Sequence, residues 1–132
     1  MAEQHQVEVI LTRQLASYLA TPIFVVDPVG TLIFYNEAAE NILGKRFEET
    51  GEMLAAEWAS VFTPMDENQN RLAPDSLPLM IALTQKMPAH SRFWIRSLNG
   101  ALHYIEVSAF PLIGQANRFL GAFAFFWKVP AP

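Results

Sequence analysis

The run from Thr21 to Gly44, TPIFVVDPVGTLIFYNEAAENILG, constrains the chain more than any other part, because it compresses two strands, a tight turn and a capped helix into one short segment. Ile23 to Val26 is apolar and rich in β-branched side chains, which suits a buried strand. Asp27-Pro28-Val29-Gly30 has Asp at the first position, Pro at the second and Gly at the fourth, the chemistry of a type I turn. Thr31 to Tyr35 reads as a second strand. Asn36 ends it with a side chain suited to accept the free amides of a helix start. Ala38, Ala39, Ile42 and Leu43 give that helix one apolar face, and Gly44 suits a left-handed stop.

Periodicity organises the flanking regions. Val7, Ile10, Leu11, Leu15, Tyr18 and Leu19 fall at three- and four-residue steps and predict an amphipathic helix ahead of the domain proper. Such a helix either covers the chain's own sheet or pairs with a second copy. Leu54, Trp58, Val61 and Phe62 repeat the helical spacing in a middle helix that ends before Pro64. Met65 to Pro74 opens with polar residues and is expected as a loop. Asp75 is expected to cap a helix reaching Lys86, with Leu77, Met80, Ile81 and Thr84 on one face and a stop before Pro88. There is no internal repeat and no low-complexity tail.

The C-terminal half predicts a β-meander whose first hairpin can be registered. A two-residue Asn99-Gly100 loop would set Phe93 across from Glu106 and Arg96 across from His103, mixing polar with apolar partners. A three-residue loop, Leu98-Asn99-Gly100 with Gly left-handed, pairs Trp94 with Tyr104, Arg92 with Glu106 and Phe93 with Ile105. The second register matches every pair. It puts Phe93, Ile95, Ile105, Val107 and Ala109 on a core face and Arg92, Trp94, Arg96, Tyr104, Glu106, Ser108 and Phe110 on an outer one. Together with rings from Phe123, Phe125 and Trp127, that outer face is expected to carry an apolar patch that something must cover.

Composition closes off several function classes. The chain has 132 residues, 52% hydrophobic and 17% charged, and is expected to form a single globular domain. A net charge of −4, with nine Lys and Arg that form no stripe, speaks against a grip on nucleic-acid phosphates. The longest wholly apolar run, Ala122 to Trp127, is far short of the ~20 residues that cross a bilayer. The first residues lack the basic and apolar regions of an export signal, so the chain is expected in the cytoplasm. The absence of cysteine excludes disulfides and thiol nucleophiles. His5, His90 and His103 have no metal-ligand spacing, and neither a Gly-x-Ser-x-Gly elbow nor a phosphate-cradling glycine loop occurs. Neither a bound metal nor catalysis is expected.

The Thr21–Gly44 segment resembles the opening of a PAS domain, a sensory module of signalling proteins. In that family an apolar strand, an Asp-x-x-Gly turn, a strand, an Asn and a short helix ending in Gly follow in this order. Asp75-Ser76-Leu77-Pro78-Leu79 followed by Ala82-Leu83 looks like the helix that crosses the pocket in many bacterial members. Leu98-Asn99-Gly100, Glu106 to Leu112, and Leu120-Gly121-Ala122 look like the last three strands. The resemblance covers residues 16 to 129 and is far more specific than any single short motif.

It implies an α+β fold: a five-stranded antiparallel sheet with helices on one face, formed by residues 21–132, behind a leading helix at 1–20. It implies a cavity between the inner sheet face and the helices, with expected walls at Ile42, Trp58, Met80, Ile81, Phe93, Ile95, Ile105 and Val107. Each of these is, taken singly, an ordinary core residue. Their methionine and aromatic content suits an apolar or amphipathic guest over a nucleotide or a sugar. Pairing in the family leads us to expect a homodimer through the leading helix and the outer face. Haem and flavin occur in the family, and neither is singled out. Missing cysteines remove the adduct-forming and chromophore-linking chemistry, while His90, just beyond a pocket helix without histidine, is the weak candidate for a haem ligand.

The function implied is a stand-alone sensory or ligand-binding domain that recognises a small apolar molecule and signals through dimer contacts or a separate effector protein. The alternatives are an interaction module whose core is filled by its own side chains, and a haem- or flavin-binding sensor. Many members run from the last strand through Asp-Ile-Thr into a signalling helix. Here Lys128-Val129-Pro130 stands in that place, and Pro130 discourages continuation, hence the expectation of a domain that acts alone or has been excised.

Overall fold

The computed structural model describes residues 10, 11, 14, 15 and 18–132. Five strands form one antiparallel sheet in the order β2-β1-β5-β4-β3: β1 (Ile23–Val26), β2 (Leu32–Tyr35), β3 (Ala89–Arg96), β4 (Leu102–Ile113) and β5 (Phe119–Lys128). The helices α1 (Glu37–Leu43), α2 (Phe47–Thr50), α3 (Ala55–Val61) and α4 (Pro78–Gln85) all come between β2 and β3 in the chain. The fold is the α+β arrangement expected.

The opening segment folds as its residues dictate. Gly30 N–H donates to Asp27 O at 2.9 Å, and the Asp27 carboxylate accepts the amides of Val29 and Thr31, both at 3.0 Å. β1 and β2 pair across this turn, with Phe24 opposite Tyr35. Asn36 accepts the amide of Ala39 and caps α1, while Gly44, at φ 90°, closes it. Ala39, Ile42 and Leu43 are the buried face.

The long hairpin takes the three-residue register. Trp94 pairs with Tyr104, Arg92 with Glu106 and Phe93 with Ile105, while Arg96 faces Leu102. Arg92 Nε lies 3.0 Å from Glu106 Oε1. Gly100, at φ 91°, takes the left-handed position of the loop.

Two helices differ from their expected phase. The Asp75–Lys86 helix is broken: Pro74–Ser76 is a short 3₁₀ turn, Leu77 is extended, and α4 begins at Pro78 without a side-chain cap. Proline disfavours a helical residue before it but is welcome as the first residue of a helix, so Pro78 ends one turn and starts another. The break rotates the face. Pro78, Leu79, Ala82 and Leu83 are buried, whereas Met80 and Ile81 are half-buried and Thr84 is exposed. In α3 the middle helix buries Trp58 and Ala59, with Phe62 just beyond it, and leaves Leu54 and Val61 exposed. The Met65–Pro74 loop also contributes an edge rung, with Met65 and Trp94 exchanging backbone hydrogen bonds of 2.9 and 2.8 Å.

Both faces of the sheet carry apolar clusters. The larger one joins the inner face to the helices; a second groups Ile23, Val25, Ile33 and Leu120 with Phe34, Leu112, Phe123 and Phe125. The outer rings are less exposed than composition suggests. Tyr104 is buried beside Trp94, Phe123 and Phe125 are half-buried, and Phe110 and Trp127 remain exposed. Of the leading stretch, Ile10, Leu11, Gln14, Leu15 and Tyr18 have helical backbone. Leu15 is 63% and Tyr18 86% exposed, so these positions do not close on the chain's own sheet. His5 and Val7 lie outside the described residues.

Candidate functional site

A cavity of about 80 Å³ lies between the inner sheet face and the helices. Alternation along the strands builds its floor: Phe24 from β1, Ala124 and Phe126 from β5, Ile105 and Val107 from β4, and Phe93 and Ile95 from β3. Leu43 at the end of α1, with Trp58, Phe62 and Pro64 from α3 and its exit, forms one wall, and Leu77, Pro78 and Leu79 at the start of α4 form another.

No lining side chain is titratable, and the lone polar group among them is already engaged. Trp58 Nε1 donates to Gly30 O at 2.7 Å, which ties α3 to the first hairpin turn. Water gains no free side-chain hydrogen-bond partner from such walls. Five aromatic rings contribute: Phe24, Trp58, Phe62, Phe93 and Phe126. Phe24 meets Trp58 edge-on with centroids 5.8 Å apart, and Phe62 in the same manner at 6.5 Å.

Of the expected walls, Trp58, Phe93, Ile95, Ile105 and Val107 line this cavity. Ile42 is buried in the core away from it, and Met80 and Ile81 were turned aside by the helix break at Pro78. Phe24, Leu43, Phe62, Pro64, Leu77, Pro78, Leu79, Ala124 and Phe126 are walls that the sequence reading did not include. The signal for the β5 pair lay in the alternation of Ala122, Ala124 and Phe126 with Phe123, Phe125 and Trp127, which places the small side chains on the inner face.

The histidines stand elsewhere. His90 is on the outer face of β3, where Nδ1 lies 2.6 Å from Ser108 Oγ and Nε2 lies 2.7 Å from Glu106 Oε2, the same carboxylate that Arg92 holds. It cannot reach a group bound on the inner face, which removes it as a haem ligand for this cavity. His103 is half-buried at the end of the hairpin; burial, with the charge of Lys128 as a smaller cause, holds its pKa below the ordinary imidazole value. Neither haem nor flavin fits: the walls offer no axial ligand and no donors for a flavin's polar edge, and the volume is well under the ~300 Å³ of small cofactor pockets. Among the described residues no group of three acidic or imidazole side chains clusters as metal ligands, and no helix is long and apolar enough to cross a membrane.

No protein-family model matches the sequence, and no curated protein does. Solved structures do match. The PAS domain of a protein from Colwellia psychrerythraea superposes with a TM-score of 0.63 at 14% identity, covering 92% of this chain and 96% of that one. The PAS domain of nitrogen regulation protein NR(II) from Vibrio parahaemolyticus gives 0.62 at 17% identity, covering 90% and 98%. The LOV protein of Rhodobacter sphaeroides gives 0.71 at 11% identity, covering 95% and 69%. The sheet order, the helices between β2 and β3 and these superpositions lead to one conclusion: the chain has the PAS fold.

Proposed function

We propose that this chain is a sensory domain that takes a small, uncharged, apolar molecule into the cavity between its sheet and helices and passes occupancy on through contacts with a second copy or an effector protein. The observation that carries the proposal is the cavity itself, about 80 Å³ with walls that offer no free polar side chain. A space of that size forfeits contacts its lining could make, and an apolar guest restores them without breaking any hydrogen bond. Nothing on the walls could act as nucleophile, acid or base, which supports a binding role over a catalytic one.

Xenon is a direct probe, because dry apolar cavities take it up. Titration with xenon should shift the NMR signals of Trp58, Phe93 and Val107, and Ala124→Leu, which fills the cavity from β5, should abolish the shifts. Native mass spectra of protein purified without added ligand should be inspected for a retained guest. If xenon leaves those signals in place and no guest mass appears, the core is filled by its own side chains, and an interaction module is the better description.

A further inference from the structure

We infer that the guest is a single neutral aromatic ring, bound in preference to an aliphatic molecule of the same size. This rests on the cavity being a ligand site and names what that site selects. Two observations carry it. The first is the density of rings: Trp58 and Phe62 stand on the helical side and Phe24, Phe93 and Phe126 on the sheet side, so a flat guest meets aromatic surface from both directions. Those rings already adopt mutual edge-to-face packing, with Phe24 at 5.8 Å from Trp58 and 6.5 Å from Phe62. Aromatic pairs in such geometry are attractive beyond the area they bury, because the positive edge of one ring faces the negative face of another. A saturated guest fills the same space without that term.

The second observation is the absence of any free polar side chain on the walls. The Trp58 N–H is committed to Gly30 O at 2.7 Å, so a hydroxyl or an amine on the guest would be buried unpaired. A cation would find ring faces but no carboxylate on the lining, and its desolvation would go uncompensated. Volume sets the upper bound. An apolar cavity of about 150 Å³ holds benzene; at about 80 Å³ this one admits a single ring only as its lining side chains shift outward, and two fused rings do not enter.

The test uses the intact chain, with xenon as the reference guest. Dissociation constants for benzene, cyclopentane, cyclohexane, toluene and phenol are read from the NMR shifts of Trp58, Phe93 and Val107. Cyclopentane is close to benzene in size and cyclohexane somewhat larger, and phenol is close in shape to toluene. Benzene should bind at least about tenfold more tightly than either cycloalkane. Toluene should bind on the order of tenfold or more tightly than phenol. Phe62→Leu should erase most of the preference, bringing the benzene and cyclopentane dissociation constants to within about threefold of each other. Should that variant not fold, the selectivity of the unmodified protein decides alone. Cycloalkanes that bind as tightly as benzene, with xenon also bound, would overturn the aromatic preference and leave the cavity as a general apolar site. Failure of every guest, xenon included, would instead remove the ligand site.

Discussion

Asn36 shows how much one small amide can organise. It is 1% exposed, and its Oδ1 accepts the amides of Ala39 at 3.0 Å and Ile23 at 3.1 Å, while Nδ2 donates to Thr21 O at 2.9 Å and Leu19 O at 3.3 Å. The cap of α1 and the start of β1 therefore share one side chain. A cap alone is worth ~1 kcal/mol, and each further buried bond left unmade adds about as much. With three such bonds beside the cap, Asn36→Ala should cost about 3–4 kcal/mol in urea unfolding. A loss near 1 kcal/mol would mean that only the cap matters. His103 supplies a pH-dependent counterpart. Its pKa is lowered in the folded state, first by burial and then by Lys128, so the folded form resists protonation. That contribution is present above the ordinary imidazole pKa of about 6.5 and is lost as the pH falls through the lowered value. The slope of stability against pH just below about 6.5 should flatten in His103→Gln; an unchanged slope would assign it to other groups.

At the scale of the element, glycines separate local demands from those of the fold. Gly100, at φ 91°, sits in a hairpin loop where an added Cβ would meet nothing within 4 Å. Gly121, at φ 127° in β5, would place a Cβ 2.1 Å from Val26 O on the neighbouring strand. Gly100→Ala should cost about 1–2 kcal/mol from left-handed strain alone, whereas Gly121→Ala must push β1 and β5 apart and should yield little folded protein. Comparable melting temperatures for the two variants would contradict this contrast. The loop glycine could be read from the sequence, because turn chemistry is written in adjacent residues; the strand glycine could not, because its obstacle comes from residue 26. The same division runs through the site. The Phe93 to Val107 walls followed from hairpin register, a local rule, whereas Met80 and Ile81 were misplaced because the path of the chain through Pro74 and Pro78 reset the helical phase. Phe24 joins the cavity only because β1 pairs with β5, a contact between residues about a hundred positions apart.

For the molecule as a whole, β5 is one of the strands that touch both candidate surfaces. Ala124 and Phe126 face the cavity, while Phe123 and Phe125 stand in the outer cluster and Trp127 is exposed beside them. If a guest displaces Phe126, a shift of β5 would reach the outer rings on the same strand, and occupancy and pairing would then be linked through the sheet. The outer face has a natural complement in Ile10, Leu11, Leu15 and Tyr18, all exposed within a single chain. If a second copy covers them, Leu11 and Leu15 pack with Trp127 and Phe110 across a two-fold axis, and each chain supplies both helix and sheet to the interface. Such an interface should bury at least about 1,000 Å² in total. Light scattering should then report a dimer for the unmodified protein at micromolar concentration, and the double change Leu11→Gln and Leu15→Gln should shift it to monomer with its far-UV dichroism retained. The outcome that sinks the dimer is a monomeric mass for the unmodified chain at the highest attainable concentration; the exposed leading residues would then be left for an effector protein to cover.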